Sequence, residues 1–165
     1  MSRAPKTIAI TFATVATVVL SGCASTSAGD TNASDIQEVR ALFLRQAAGA
    51  TAKDIDAMDA VFARTSAGQA DTVSFIARAY RYWGRDEVLA HFRKIFAGTW
   101  RFEPDEEQIR VTLLGNDVAQ IFAPTRITAG PEGQPATTSQ FYMTEFALRT
   151  TDGWRISSII AVPAQ

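Results

Sequence analysis

The sequence predicts an α+β domain in which helices pack on one face of a curled, mostly antiparallel sheet. Apolar stripes of helical period dominate the first half of the folded region, and beyond Gly98 strand-like runs alternate with turn signals to the C-terminus. The 131 residues from 35 to 165 match one ordinary domain, with no internal repeat and no second linker.

Ser34-Asp35-Ile36-Gln37 has the form of a capping box, in which the serine and Gln37 side chains satisfy free amides at a helix start. Ile36, Val39, Phe43 and Ala47 then recur at helical spacing. After Gly49 a short helix places Ile55, Met58, Val61 and Phe62 on one side. Residues 63–70 relax into a turn, residues 72–79 are rich in β-formers, and Gly84 breaks the chain. A third helix over 85–96 gathers Val88, Leu89, Phe92, Ile95 and Phe96 into one stripe. Strands are expected at 100–102, 108–114, 118–128, 137–150 and 154–162. Gly115-Asn116-Asp117, a Gly/Pro-rich loop at 130–135 and Asp152-Gly153 make the turns between them.

Ahead of the domain, Arg3 and Lys6 precede an uncharged apolar run from Ile8 to Leu20, the order of a secretory signal peptide. The run ends in Leu20-Ser21-Gly22-Cys23, which resembles the lipobox of bacterial lipoproteins. That resemblance implies a diacylated Cys23 left as residue one after residues 1–22 are removed. Ala24, where retained lipoproteins carry Asp, implies outer-membrane delivery facing the periplasm. Alternatives stay open: cleavage near Gly22-Cys23-Ala24 that leaves a soluble exported protein, a membrane-spanning anchor, or a buried core cysteine. The anchor is short, because the 13 residues 8–20 at ~1.5 Å each reach roughly 20 Å against about 30 Å of hydrocarbon. Residues 24–34 hold no large apolar side chain, so with the lipidated Cys23 they form a flexible tether, 23–34.

Removing residues 1–22 takes Arg3 and Lys6 from 16 basic residues and none from 17 acidic ones, which leaves a charge of about minus three. That balance offers neither the clustered positive charge that nucleic acid requires nor a polybasic membrane patch. Membrane affinity would come from the acyl chains on Cys23. As the single cysteine, it cannot form a disulfide within the chain.

The order of elements resembles the nuclear transport factor 2-like superfamily, particularly its SnoaL-like members. Its local carriers are Ala57-Met58-Asp59-Ala60-Val61-Phe62-Ala63, Gly84 leading into Val88 and Phe92, and Asp152-Gly153-Trp154-Arg155-Ile156. The resemblance implies a cone-shaped cavity between curved sheet and helices, serving isomerases, cyclases, dehydratases, association domains and non-catalytic binders. Steroid isomerases of the superfamily carry a base carboxylate on the first strand and a tyrosine on the first helix. Here those places read Val73-Ser74-Phe75-Ile76-Ala77 and Leu42-Phe43-Leu44. Many SnoaL-like relatives also carry a histidine late in the final strand, where this chain has Ser157-Ser158-Ile159-Ile160.

The sole histidine, His91, falls at the edge of the third helix's apolar stripe, as a boundary residue or as a weak catalytic candidate. No spacing of histidine, cysteine and carboxylates supports a metal, and no cofactor is expected. Helical geometry leaves Asp56 solvated and Asp59 at a flank, against a paired-carboxylate site. If Tyr142, Thr144, Phe146 and Leu148 face the helices, alternation puts Glu145 outside with Phe141 and Met143. Glu103, Asp105, Glu106 and Glu107 read as a solvated loop.

From Arg78 to Arg85, three aromatics interleave with three arginines in the join between first strand and third helix. Either they pack as ordinary core and surface, or their rings stack on a greasy ligand while guanidinium groups meet an acid. The candidate pocket is Tyr80, Tyr82, Trp83, His91, Trp100 and Tyr142, with Phe102 beside Trp100. The reading favoured is a lipid-anchored, exported domain that binds a small, largely apolar molecule without a complete catalytic set. Two others stand beside it: a lyase or isomerase using His91 with Tyr82 or Tyr142, and a homodimeric association module.

Overall fold

The computed structural model describes residues 28–65, 68–78 and 80–165. Three helices, α1 (Ala28–Ala52), α2 (Ile55–Val61) and α3 (Arg85–Phe96), pack on a curved, unclosed sheet. Its strands are β1 (Ser74–Ala77), β2 (Tyr80–Trp83), β3 (Thr99–Pro104), β4 (Arg110–Leu113), β5 (Val118–Gly130), β6 (Thr137–Thr150) and β7 (Gly153–Pro163). They run in the order β2-β1-β7-β6-β5-β3, with β4 also on β5, and only β1 and β7 pair parallel. This is the expected α+β architecture. Cys23 and its apolar run lie outside the described residues. Among those residues no helix is long and apolar enough to cross a membrane.

Val39, Leu42, Phe43, Gln46, Ala47 and Ala50 form the buried stripe of α1. The helix begins earlier than the capping-box reading placed it. Ser34 sits inside it with its hydroxyl 3.4 Å from Glu38, so residues 28–34, expected as tether, are helical. A polar run has no packing signal of its own, yet extending a docked helix costs far less than nucleating one. Asp35 anchors this end, pairing with Arg149 on β6 and accepting from Trp154 Nε1 at 3.3 Å.

The β-rich run at 72–79 is a strand only over Ser74–Ala77, and the aromatic join is itself a strand, β2, paired antiparallel to β1. A two-residue turn makes this hairpin, with Arg78 in the left-handed region at φ 51°. Such turns are normally announced by Gly or Asn, which this one lacks. Gly84, at φ 93°, then turns the chain into α3, and Asp71 holds that corner by accepting from the amides of Arg85 at 2.7 Å and Val73 at 2.9 Å.

On β6 the expected facing is reversed. Met143, Glu145 and Ala147 are buried under the helices, while Tyr142 is 47% exposed on the outer face. Pairing with β5 agrees, since Ile121, Ala123 and Ile127, opposite Glu145, Met143 and Ser139, are also buried. The outer set, Tyr142, Thr144, Phe146 and Leu148, is the bulkier one and gave the misleading apolar stripe. It is partly covered by its neighbours instead, with Tyr142 stacked on Phe122 at 6.0 Å.

Candidate functional site

At one end of the domain the helices and hairpin stand away from the sheet and leave a cavity of about 530 Å³. Small side chains make the room: Ala50 on α1, Ala77 on β1, Ala129 on β5 and Ala161 on β7 all line it. Larger apolar groups close it, with Phe75 and Phe92 on one side and Trp100, Ile127, Phe141 and Met143 from the sheet. The hairpin missed in the sequence supplies its outer wall through Tyr80 and Tyr82.

Tyr80, Tyr82, His91 and Trp100 therefore share one cavity wall or another, as does Phe102. Trp83 does not line it; it is 62% exposed, because alternation along β2 turns it away from the cavity. Tyr142 is excluded by the reversed facing of β6. For the same reason Phe141 and Met143, expected outside, face the cavity. Asp56 is exposed, and Asp59 is occupied by ion pairs with Arg64 and Arg85, so neither reaches the cavity.

His91 lies half-buried in an aromatic cluster, its ring 4.5 Å from Tyr82 and 5.0 Å from Phe75. Burial, with a smaller contribution from the Lys94 ammonium, lowers its pKa below the ordinary 6.5, so the imidazole is neutral at pH 7. No side-chain hydrogen bond engages it among the described residues. Beneath the lining, Gln46 Nε2 donates to Glu145 Oε1 at 3.1 Å. Burial pushes the Glu145 carboxyl up to about 8, against the downward pull of that bond, so this acid is neutral at pH 7. Gln46 was missed in the sequence, and Glu145 was expected outside. A signal existed: Gln46 interrupts the buried stripe Phe43/Ala47/Ala50, and a polar residue on such a stripe demands a partner. Among the described residues no group of three or more metal-ligating side chains is assembled.

A SnoaL-like domain model matches residues 39–161. The chain belongs to the SnoaL-like family. Similar solved structures include a proposed dehydratase of the NTF2-like family from Streptomyces avermitilis, with TM-score 0.69 and 22% identity over 80% of this chain and 97% of that one. A proposed calcium/calmodulin-dependent protein kinase type II association domain from Thiobacillus denitrificans is 26% identical, with TM-score 0.58, over 76% of this chain and 94% of that one. A proposed aromatic ring hydroxylase from Novosphingobium aromaticivorans has TM-score 0.69 and 18% identity over 81% and 91%. No curated protein matches the chain. This SnoaL-like domain thus shares its fold with proteins assigned to unrelated tasks, and function must be argued from its own cavity. There, α1 contributes Gln46 and Ala50 and β1 contributes Phe75 and Ala77, so neither element presents a carboxylate or a phenol.

Proposed function

We propose that this SnoaL-like domain binds a small, largely apolar molecule in its cavity, without chemistry of its own, and is carried to the periplasmic face of the outer membrane on a lipidated Cys23. The single observation behind the binding reading is the cavity: about 530 Å³, walled mainly by aromatic and aliphatic side chains, within the usual range for small-molecule sites. Against chemistry stands the setting of His91, whose ring is packed against the Tyr82 and Phe75 rings and, among the described residues, has no carboxylate bonded to it that would orient a general base. The lyase or isomerase alternative would require a substrate to complete that set.

Binding is tested with N-phenyl-1-naphthylamine, a neutral dye that brightens in apolar surroundings. The full chain should bind it, and Ala129→Trp, which fills the cavity from β5, should lose it while keeping its circular dichroism. Equal binding by the variant, or none by the parent, overturns the reading. The anchor is tested separately, by an intact mass of the protein extracted from a lipoprotein-competent bacterium; an unacylated chain retaining residues 1–22 would remove it.

A second reading has its own observation. Tyr142 and Val162, directly paired across β6 and β7, are 47% and 51% exposed, and Phe122 stacks beside them. This outer sheet face, rather than Phe141 and Met143, would join two copies in a homodimer.

A further inference from the structure

The charged side chains around the cavity are distributed unevenly. Arg78 and Lys94 line it, both exposed and so at its mouth, and among the described residues no carboxylate lines it. Glu145, beneath the lining, is buried and paired with Gln46. The cations at the mouth are also unspent. Arg64, Arg85, Arg101, Arg126 and Arg149 are held in ion pairs, whereas Arg78 and Lys94 have none among the described residues. In a chain of net charge −1, two unpaired cations lining the cavity make its entrance locally positive.

Arg78 carries a second mark. It occupies a turn position at φ 51° that Gly or Asn would hold with less strain, and its guanidinium lies over the Phe141 ring, 5.7 Å from the centroid, at the cavity wall. Lys94 acts at the same place, since its ammonium helps to depress the pKa of His91 inside the cavity. The floor is different: Met143, Ile159 and Ala161 are buried and apolar, a place where an unpaired charge would be costly. The cavity therefore has an apolar depth and a cationic entrance.

Resting on the cavity-binding reading, we propose that the ligand is an amphipathic carboxylate, its apolar body lodged between the sheet and the Phe75, Tyr80 and Tyr82 rings, its carboxylate at the mouth facing Arg78 and Lys94. The cations set both the class of ligand and its orientation.

A matched pair of probes tests this: 2-naphthoate and its neutral isostere 2-naphthamide, titrated into the full chain by calorimetry at low ionic strength. The acid should bind about three- to tenfold tighter, the range of two exposed charge contacts, and the gap should close as salt is raised. R78G/K94Q should abolish the gap, and because glycine suits the turn the variant should keep its circular dichroism. R110Q, which removes an unpaired cation on β4, should leave the gap unchanged. Equal affinity for both probes, or a gap that survives in R78G/K94Q, overturns the carboxylate proposal and leaves the apolar pocket standing. If neither probe binds the parent, the pocket reading falls, and the proposal with it.

Discussion

Gln46 in the C-terminal half of α1 and Glu145 on β6, 99 residues apart, meet through a 3.1 Å hydrogen bond in a place that water does not reach. The Glu145 pKa of about 8 exceeds the ordinary 4.5, so the folded chain holds this proton more tightly than the unfolded one. Its contribution to stability is complete below pH 4.5 and is lost as pH rises, by up to about 1.4 kcal/mol per unit, until about pH 8. His91 acts in the opposite sense just below pH 6.5, its folded pKa being lowered. Urea unfolding should show stability declining from pH 7 to 8, and Glu145→Gln should flatten that decline. A parent with no pH dependence there would contradict a buried neutral acid.

At the other end of α1, Asp35 is held by Arg149, whose guanidinium also lies over the Trp154 ring, 4.5 Å from its centroid. The Arg149 hydrogen bond keeps the Asp35 pKa below its usual 3.8, against the opposing effect of burial. A lowered carboxylate pKa stabilises the fold above pH 3.8 and ceases to do so as pH falls through the lowered value. Asp35→Asn should therefore lower the melting temperature at pH 7, and the difference from the parent should shrink below pH 3.8. A constant difference across that range would mean that the carboxylate charge is not what stabilises this corner.

His91 gives a third titration. Because burial is the main cause of its lowered pKa and Lys94 the lesser one, its imidazole should titrate below 6.5 by NMR, and Lys94→Gln should raise the midpoint only part of the way back. A midpoint at or above 6.5 would place the ring in solvent rather than in the cluster with Tyr82 and Phe75.

Much of this architecture was legible in the chain, and the exceptions share a cause. The limits of α3 followed from Gly84 and a clean apolar stripe, and β5, β6 and β7 from long β-rich runs between marked turns. The β1–β2 hairpin was missed because its left-handed residue is Arg78, which carries no turn signal. The facing of β6 was misjudged because the larger apolar side chains point outward and the inner row contains an acid. Glu145 becomes acceptable inside only through Gln46, a pairing that no local pattern reveals. Tyr80 and Tyr82 were named from the aromatic cluster and His91 as the sole histidine, at the edge of the α3 stripe; Trp83 and Tyr142 turn away from the cavity by alternation, which only the strand pairing fixes.

Gly98 marks the closest approach of the α3–β3 corner to the end of β5. A Cβ there would overlap the Gly130 carbonyl oxygen and stand 3.0 Å from backbone atoms of Pro131 and Glu132, none of them free to swing away. Lys53 Nζ also donates to the Gly98 carbonyl at 2.5 Å, tying the corner to the end of α1. Gly98→Ala should cost about 3 kcal/mol or more in urea unfolding. Gly133→Ala, with nothing within 4 Å and only a positive φ of 70° against it, should cost about 1 kcal/mol. Similar costs at the two sites would show that the corner relaxes.

The outer sheet face yields the last prediction. Tyr142 and Val162 project from adjacent strands at opposed positions, and Phe122 extends the patch across β5. If two copies bury this face, Tyr142→Lys sets two like charges against an apolar surface, and an unpaired charge desolvated there weakens association strongly. Sedimentation at micromolar concentration should then give a dimer for the parent and a monomer for the variant. The dye should still bind both, because Tyr142 lies on the side of β6 opposite the cavity. A parent that is monomeric throughout would leave the patch as ordinary surface and remove the association reading; a variant that loses the dye as well would show that the two faces of the sheet are not independent.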